Sequence, residues 1–178
     1  MNKQLQSLRF LPEVAVYDEM DSPIGILTII TSNRGVHAVL WDNSFKNTNG
    51  ESIMNNITRA IDDAIITKVK RQLDEYFLGK RKIFDLPLSI KATDFQTQAW
   101  KELSNIPYAT TISYGEQAKR VGWRNKARAV GMANGLNPIG IIIPCHRVVG
   151  SNGNLVGFGG GLERKEWLLN HEKSHKNV

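Results

Sequence analysis

Cysteine is almost missing from this chain: there is one residue, Cys145, in 178. An internal disulfide is therefore excluded, as is a zinc or iron–sulfur site built on several thiolates. Four histidines leave a metal only His and carboxylate ligands, and neither metal nor cofactor is expected. Long apolar runs are lacking as well. The longest, Ile24–Ile30 and Ile139–Ile143, have the length of a strand and fall short of a bilayer span. The N-terminal MNKQLQSLRFLPEV has no continuous apolar core and no small-residue cleavage site. A reduced, cytoplasmic protein without a membrane partner is the expectation. What is present, 41% hydrophobic and 22% charged residues, is the composition of a folded domain, or of one with a small companion.

Charge is scarce in net terms over one half only. Residues 1–90 carry 11 basic and 11 acidic residues, whereas 91–178 carry 12 basic and 6 acidic, so the net +6 belongs to the second half. Between Lys119 and Arg147 stand six cations (Lys119, Arg120, Arg124, Lys126, Arg128, Arg147) and no acidic residue. A solvated basic face explains such a run as readily as a polyanion site does. The sharper reading is a patch for nucleic acid.

The first half predicts three strands, Val14–Tyr17, Ile24–Thr31 and Gly35–Trp41, rich in β-branched and aromatic residues and separated by turn residues. Asp42–Ser52 is polar and reads as an exposed loop. From about Ile53 to Leu78, apolar residues recur every fourth position (Ile57, Ile61, Ile65, Val69, Leu73, Phe77), which predicts a helix ended by Gly79. Lys80–Ser89 reads as a linker. The expected organisation is therefore a β-rich scaffold with one helix over 1–89 and a functional domain over 90–178.

The second half predicts helices with a strand buried among them, an α/β (α+β) fold in all. Thr93 with Gln96, and Ser113 with Glu116, are spaced as capping boxes. Gly122 ends the second helix, and Trp123–Asn125 turns into a third over Lys126–Asn134. Two short helices joined by a tight Gly-containing turn form a helix-turn-helix pattern, which many bundles share without touching DNA. The later helix offers Ala127, Arg128, Ala129, Val130, Gly131, Met132 and Ala133, and only Arg128 could read a base edge. Small side chains permit close backbone approach to a minor groove, or equally to another helix. Any DNA binding here should be largely indifferent to sequence.

Ile139–Ile143 reads as a buried strand that delivers Pro144–Cys145–His146–Arg147 at its end. A lone Cys is usually an inert apolar residue. A position just past a buried strand, beside His146 and Arg147, favours a reactive thiolate instead. Adjacent residues in extended chain point opposite ways, so His146 would reach the thiol only through a water or a turn.

Pro144–Cys145–His146–Arg147–Val148–Val149 resembles the signature of the O6-alkylguanine-DNA alkyltransferases. Phe84–Leu88, Ile106–Pro107–Tyr108, Ser113–Glu116, Ala127–Gly131, Asn137–Pro138, Gly157–Gly161, Lys165, Leu168–Leu169 and Glu172 stand in that family's order. The resemblance is strong over residues 66–172. It implies a monomer that binds duplex DNA through the minor groove and flips out O6-alkylguanine (or O4-alkylthymine). The alkyl group then moves irreversibly to Cys145. It further implies that Glu172 orients His146, which takes the thiol proton through a water. Tyr114 would serve the leaving base, and Asn137 would brace the turn carrying the cysteine. Arg128 would fill the gap in the duplex, with Ala127, Ala129, Gly131 and Tyr114 against DNA. Val148, Phe158, Gly159 and Met132 would line the base pocket, the Cys145 and Val148 carbonyls reading the exocyclic amine.

Phe158 stands where many relatives have Tyr, and Gly159 where some have Ser, which softens the expected pocket. The thiolate zinc site of some relatives cannot form around one cysteine. Gly157–Gly161 lacks the pattern of a phosphate loop. Three rivals compete with this reading. An alkyltransferase-like protein that binds lesions without repairing them would carry Trp in place of Cys145. A helix-turn-helix regulator is disfavoured by the side-chain-poor helix. A cysteine hydrolase lacks a direct Cys–His contact.

Overall fold

The computed structural model describes residues 8, 11–12, 14–41 and 56–177. The chain divides into two compact units, Met1–Lys91 and Ala92–Val178. Among the described residues no helix is long and apolar enough to cross a membrane.

The first unit is built on a four-stranded sheet in the order β3-β2-β1-β4, with β1 Val16–Met20, β2 Leu27–Ser32, β3 Gly35–Trp41 and β4 Thr58–Arg59. β1, β2 and β3 form an antiparallel meander, and β4 adds a short parallel edge beside β1. Every residue of β2 and β3 is buried, because both faces are covered. Helix α1, Ala64–Phe77, packs on the sheet through Ile66, Val69, Leu73 and Tyr76. Leu8, Ala15, Ile30, Ala38 and Leu40 form a second apolar cluster.

The helix starts eleven residues later than the four-residue repeat predicts. The Asp63 side chain accepts from the Ile66 amide and fixes the N-terminus there. Ile57 and Ile61 precede the helix, and Ile61 is exposed; the start of the repeat is coincidental. The loop expected over Asp42–Ser52 lies outside the described residues. Lys80–Ser89 is no free linker. The Val36 amide donates to the Pro87 carbonyl at 2.8 Å and the Ser89 amide to the Val36 carbonyl at 2.9 Å. Buried Gln72 satisfies both backbone groups of Asp85. Gly35, at φ +126°, permits this docking, since a Cβ there would lie 2.4 Å from the Pro87 oxygen.

The second unit contains α2 Asp94–Ser104, β5 Ile112–Ser113, α3 Tyr114–Arg120, α4 Ala127–Gly135, β6 Val148–Val149 and α5 Leu162–Ser174. The Thr93–Gln96 capping box is complete. At Ser113 the hydroxyl caps the Glu116 amide, while the Glu116 carboxylate pairs instead with Arg120 at 3.0 Å, so only half of that expected box forms. Polar groups weld α2, α3 and α4 together. Trp100 Nε1 donates to the Ala133 carbonyl at 2.9 Å, and Gln117 and Asn134 exchange amide hydrogen bonds at 2.7 and 3.2 Å.

Ile139–Ile143 is buried as expected but is not a strand. It is a run of turns in which Ile143 N bonds to Ile139 O and Ile142 N to Gly140 O. The apolar run signals burial, which a turn satisfies as well as a strand does. Pro138, Gly140 and Pro144 interrupt any ladder, and the Asn137 side chain takes the backbone groups that a neighbouring strand would use. The short strand is β6, after the cysteine, paired in parallel with β5.

Candidate active site

Three chain segments of the second unit meet at Cys145. The turn 139–143 passes into a 3-10 turn over Cys145–Arg147, which feeds β6. Because β6 pairs with β5, Tyr114 at the start of α3 comes beside the same turn. The third segment is α5, carrying Lys165 and Glu172, both fully buried.

Asn137 braces the turn. Its Nδ2 donates to the Ile143 carbonyl at 2.8 Å and to Cys145 Sγ at 3.3 Å, while its Oδ1 accepts from the Ile139 amide at 3.0 Å. Ile141 holds φ +68°, a left-handed conformation that costs a β-branched residue strain. Burial pushes the Cys145 thiol upward, opposed by the Asn137 hydrogen bond and the Lys165 charge. At neutral pH the resting group is therefore a thiol, and it needs a base to react.

His146 is buried, and its Nε2 lies 2.8 Å from Glu172 Oε1. Burial would raise the Glu172 carboxyl, yet hydrogen bonds from His146 and Arg147 overcome it and hold the group at about 2. Such a carboxylate can only accept, so Nε2 carries the proton. Desolvation lowers the His146 pKa and keeps the ring neutral. Its lone pair then resides on Nδ1, which is buried and makes no hydrogen bond among the described residues.

Arg147 does not face the thiol as expected. It forks onto Glu172 at 2.9 to 3.2 Å and donates to the Ile106 carbonyl at 2.6 Å. The cation acting on the sulfur is Lys165, which sequence reasoning placed only as part of the resemblance. Its Nζ donates to the carbonyls of Val148 at 2.6 Å and Val156 at 2.9 Å, and burial lowers it to about 8. The Val148 carbonyl, expected to read a base, thus already accepts from Lys165. A wholly buried lysine carries no local sequence signal, since its burial is a property of the tertiary packing.

Tyr114 Oη donates to the carbonyls of Val156 and Gly157 at 3.0 and 3.2 Å. Burial, and then the Cys145 charge, push the phenol up to about 12, so it remains a proton donor at neutral pH. Gly131 packs on this ring: a Cβ there would sit 3.4 Å from Tyr114 Cε1. Phe158 is half-buried, Gly159 exposed, and Met132 exposed on α4.

Of the six cations between Lys119 and Arg147, Arg147 is buried and Arg120 is engaged with Glu116 and Glu102. Lys119, Arg124, Lys126 and Arg128 are exposed, and Ala127 and Ala129 are half-buried beside them. Trp123, in the turn before α4, stacks on Phe95 at 4.0 Å and 11° and fixes that turn. His171 and His175 share the i,i+4 spacing of a zinc helix. Glu172 between them is committed to His146 and Arg147, and among the described residues no group of three metal-binding side chains occurs.

A family described as 6-O-methylguanine DNA methyltransferase, DNA binding domain, matches residues 94–174, and its ribonuclease-like domain matches residues 15–90. A methylated-DNA–protein-cysteine methyltransferase of Mycobacterium bovis is 45% identical over 158 residues, 89% of this chain and 92% of that one. One from Methanosarcina acetivorans is 40% identical, covering 89% and 98%. The crystal structure of Mycobacterium tuberculosis OGT in complex with DNA superposes with a TM-score of 0.80 at 43% identity, over 89% of this chain and 93% of that one.

Proposed function

The chain belongs to the O6-alkylguanine-DNA alkyltransferase family, the methylated-DNA–protein-cysteine methyltransferases, and on that premise we propose how its own residues carry out the transfer. The substrate is O6-alkylguanine in duplex DNA, with O4-alkylthymine as a second substrate. The target nucleotide leaves the stack, because its alkyl carbon is out of a side chain's reach within it. The observation that carries the proposal is the buried Nδ1 of a neutral His146, unpaired among the described residues and next in chain to the cysteine.

His146 Nδ1 takes the thiol proton through a water, as triad logic requires of a base oriented by a carboxylate. The Cys145 sulfur pair forms a bond to the alkyl carbon. The carbon–O6 bond breaks, and its electrons pass to the guanine ring, which accepts a proton or hydrogen bond from Tyr114. Tyr114 must turn from the carbonyls of Val156 and Gly157 to reach the base. The thioether product cannot be cleaved by the site, so each molecule acts once.

The exposed cations flanking α4 bind phosphates, and Arg128 enters the minor groove in place of the extruded nucleotide. Ala127 and Ala129 allow the approach. Phe158, Gly159 and the Val148 backbone form the pocket wall, with Met132 at its rim. Residues 90–178 thus carry the chemistry and 1–89 serve as scaffold, in a monomer of the cytoplasm. Incubation with a duplex containing O6-methylguanine should add one methyl group to Cys145, read by intact mass and peptide mapping. An unmodified Cys145 in a fully bound sample refutes the proposal.

A further inference from the structure

Glu172 collects more donors than the orientation of one imidazole requires. Besides His146 Nε2 at 2.8 Å, it accepts Arg147 Nε at 3.2 and 3.0 Å, Arg147 Nη2 at 2.9 Å, and the Ala109 amide at 2.9 Å. Arg147 is itself locked: Nη1 holds the Ile106 carbonyl at 2.6 Å, and Cζ lies 5.6 Å from the Tyr108 ring centre. A planar fork fixed at both ends sets the rotation of the carboxylate, which a single ammonium could not do.

The fork also settles which group balances the charge. A buried carboxylate facing an imidazole alone would draw a proton onto the ring, leaving an imidazolium that cannot serve as a base. Arg147 supplies a permanent cation at contact distance. We infer that Arg147 is a positioning residue for alkyl transfer: it pins and neutralises Glu172, so that His146 stays a neutral imidazole with Nδ1 turned to the thiol proton. This rests on the reading of His146 as the base.

The charged groups acting on His146 are Glu172 and Lys165 from α5 and Arg147 from its own turn; Cys145 precedes it in the chain, and Tyr108, from the loop before β5, interacts with Glu172 and Arg147. Glu172 favours the protonated ring, while Arg147 and Lys165 oppose it, beneath the larger effect of burial. Lys165 is held on the Val148 and Val156 carbonyls, so it cannot take Arg147's place on the carboxylate.

The test is single-turnover methyl transfer from an O6-methylguanine duplex between about pH 5.5 and 9, with DNA affinity and melting measured in parallel. Wild type should lose rate on the acid side, and His146→Gln should abolish that limb. Arg147→Gln should move the limb upward by about one pH unit or more and slow transfer roughly 10-fold at pH 7, with DNA affinity within about twofold. Arg147→Lys keeps the charge and loses the fork, so the limb should stay while the plateau rate falls several-fold. An unmoved limb in folded Arg147→Gln overturns the inference. If that variant does not fold, an Arg147→Lys plateau equal to wild type overturns it instead. A wild-type profile without a His146-dependent limb would refute the base assignment itself, a distinguishable outcome.

Discussion

Among the described residues each unit buries one ionised carboxylate against cations, and the two are set differently. Asp18 in β1 is paired with Arg59 at 2.8 Å and with Lys70, and it is held at about 2 because these hydrogen bonds outweigh its burial. Glu172 is held at about 2 by His146 and Arg147 against the same penalty. The Asp18 partners reach solvent, whereas those of Glu172 are sealed inside. The Asp18 cluster is complete: each cation ends on the carboxylate, tying β1 to β4 and α1. At Glu172 one partner is an imidazole whose second nitrogen makes no hydrogen bond among the described residues, on the residue that follows Cys145. A lowered carboxyl pKa therefore does not by itself mark a working site. In the role proposed for His146, an open proton position next in chain to the thiol does.

That contrast can be broken by substitution. Cys145→Ser should eliminate transfer, with duplex binding and melting near wild type; residual methyl on the protein by mass would move the acceptor elsewhere. Glu172→Gln should cost both function and fold, since it leaves Arg147 buried without its counter-ion, a loss of about 3–5 kcal/mol, with transfer slowed on the order of 100-fold. Asp18→Asn should lower the melting temperature by several degrees and leave the transfer rate of the folded protein untouched. A slowed rate there would mean that the two carboxylates are not separable in role.

Arg128→Ala sharpens the comparison within the second unit, because this cation is exposed and forms no ion pair among the described residues. Repair of duplex should slow roughly 10-fold while melting is unchanged, and the slope of log affinity against log salt should fall by about one. Wild-type repair by this variant would remove the finger assignment. The smallest expected effect is on acid stability. Both carboxyls are depressed in the folded state, so the stability they contribute is present above about pH 4–5 and is lost as pH falls toward 2. Denaturant midpoints from pH 7 to 3 should drop, with Asp18→Asn losing part of that dependence.

Much of the fold could be read along the chain where the signal is local. The Thr93–Gln96 cap, the Gly122 stop, the third strand and the apolar run at 139–143 all reflect neighbours in sequence. The departures have two sources. Asp63 caps α1 three residues ahead and Asn137 satisfies the cysteine turn two and six residues on, local side-chain bonds that apolar periodicity does not register, whereas Gln72 and the distant Val36 claim the segment read as a linker. Arg147 illustrates the same limit in the site. Its adjacency to Cys145 suggested a thiolate partner, yet the 3-10 turn directs it to Glu172.

The amino-acid sequence alone determined the single thiol, the concentration of positive charge in the second half and the order of motifs that marks the family, because these depend only on residue identity and order. Tertiary structure decided which cations remain at the surface, which proton His146 holds and why Lys165 is buried, because charge state and exposure depend on what the fold brings within a few ångströms.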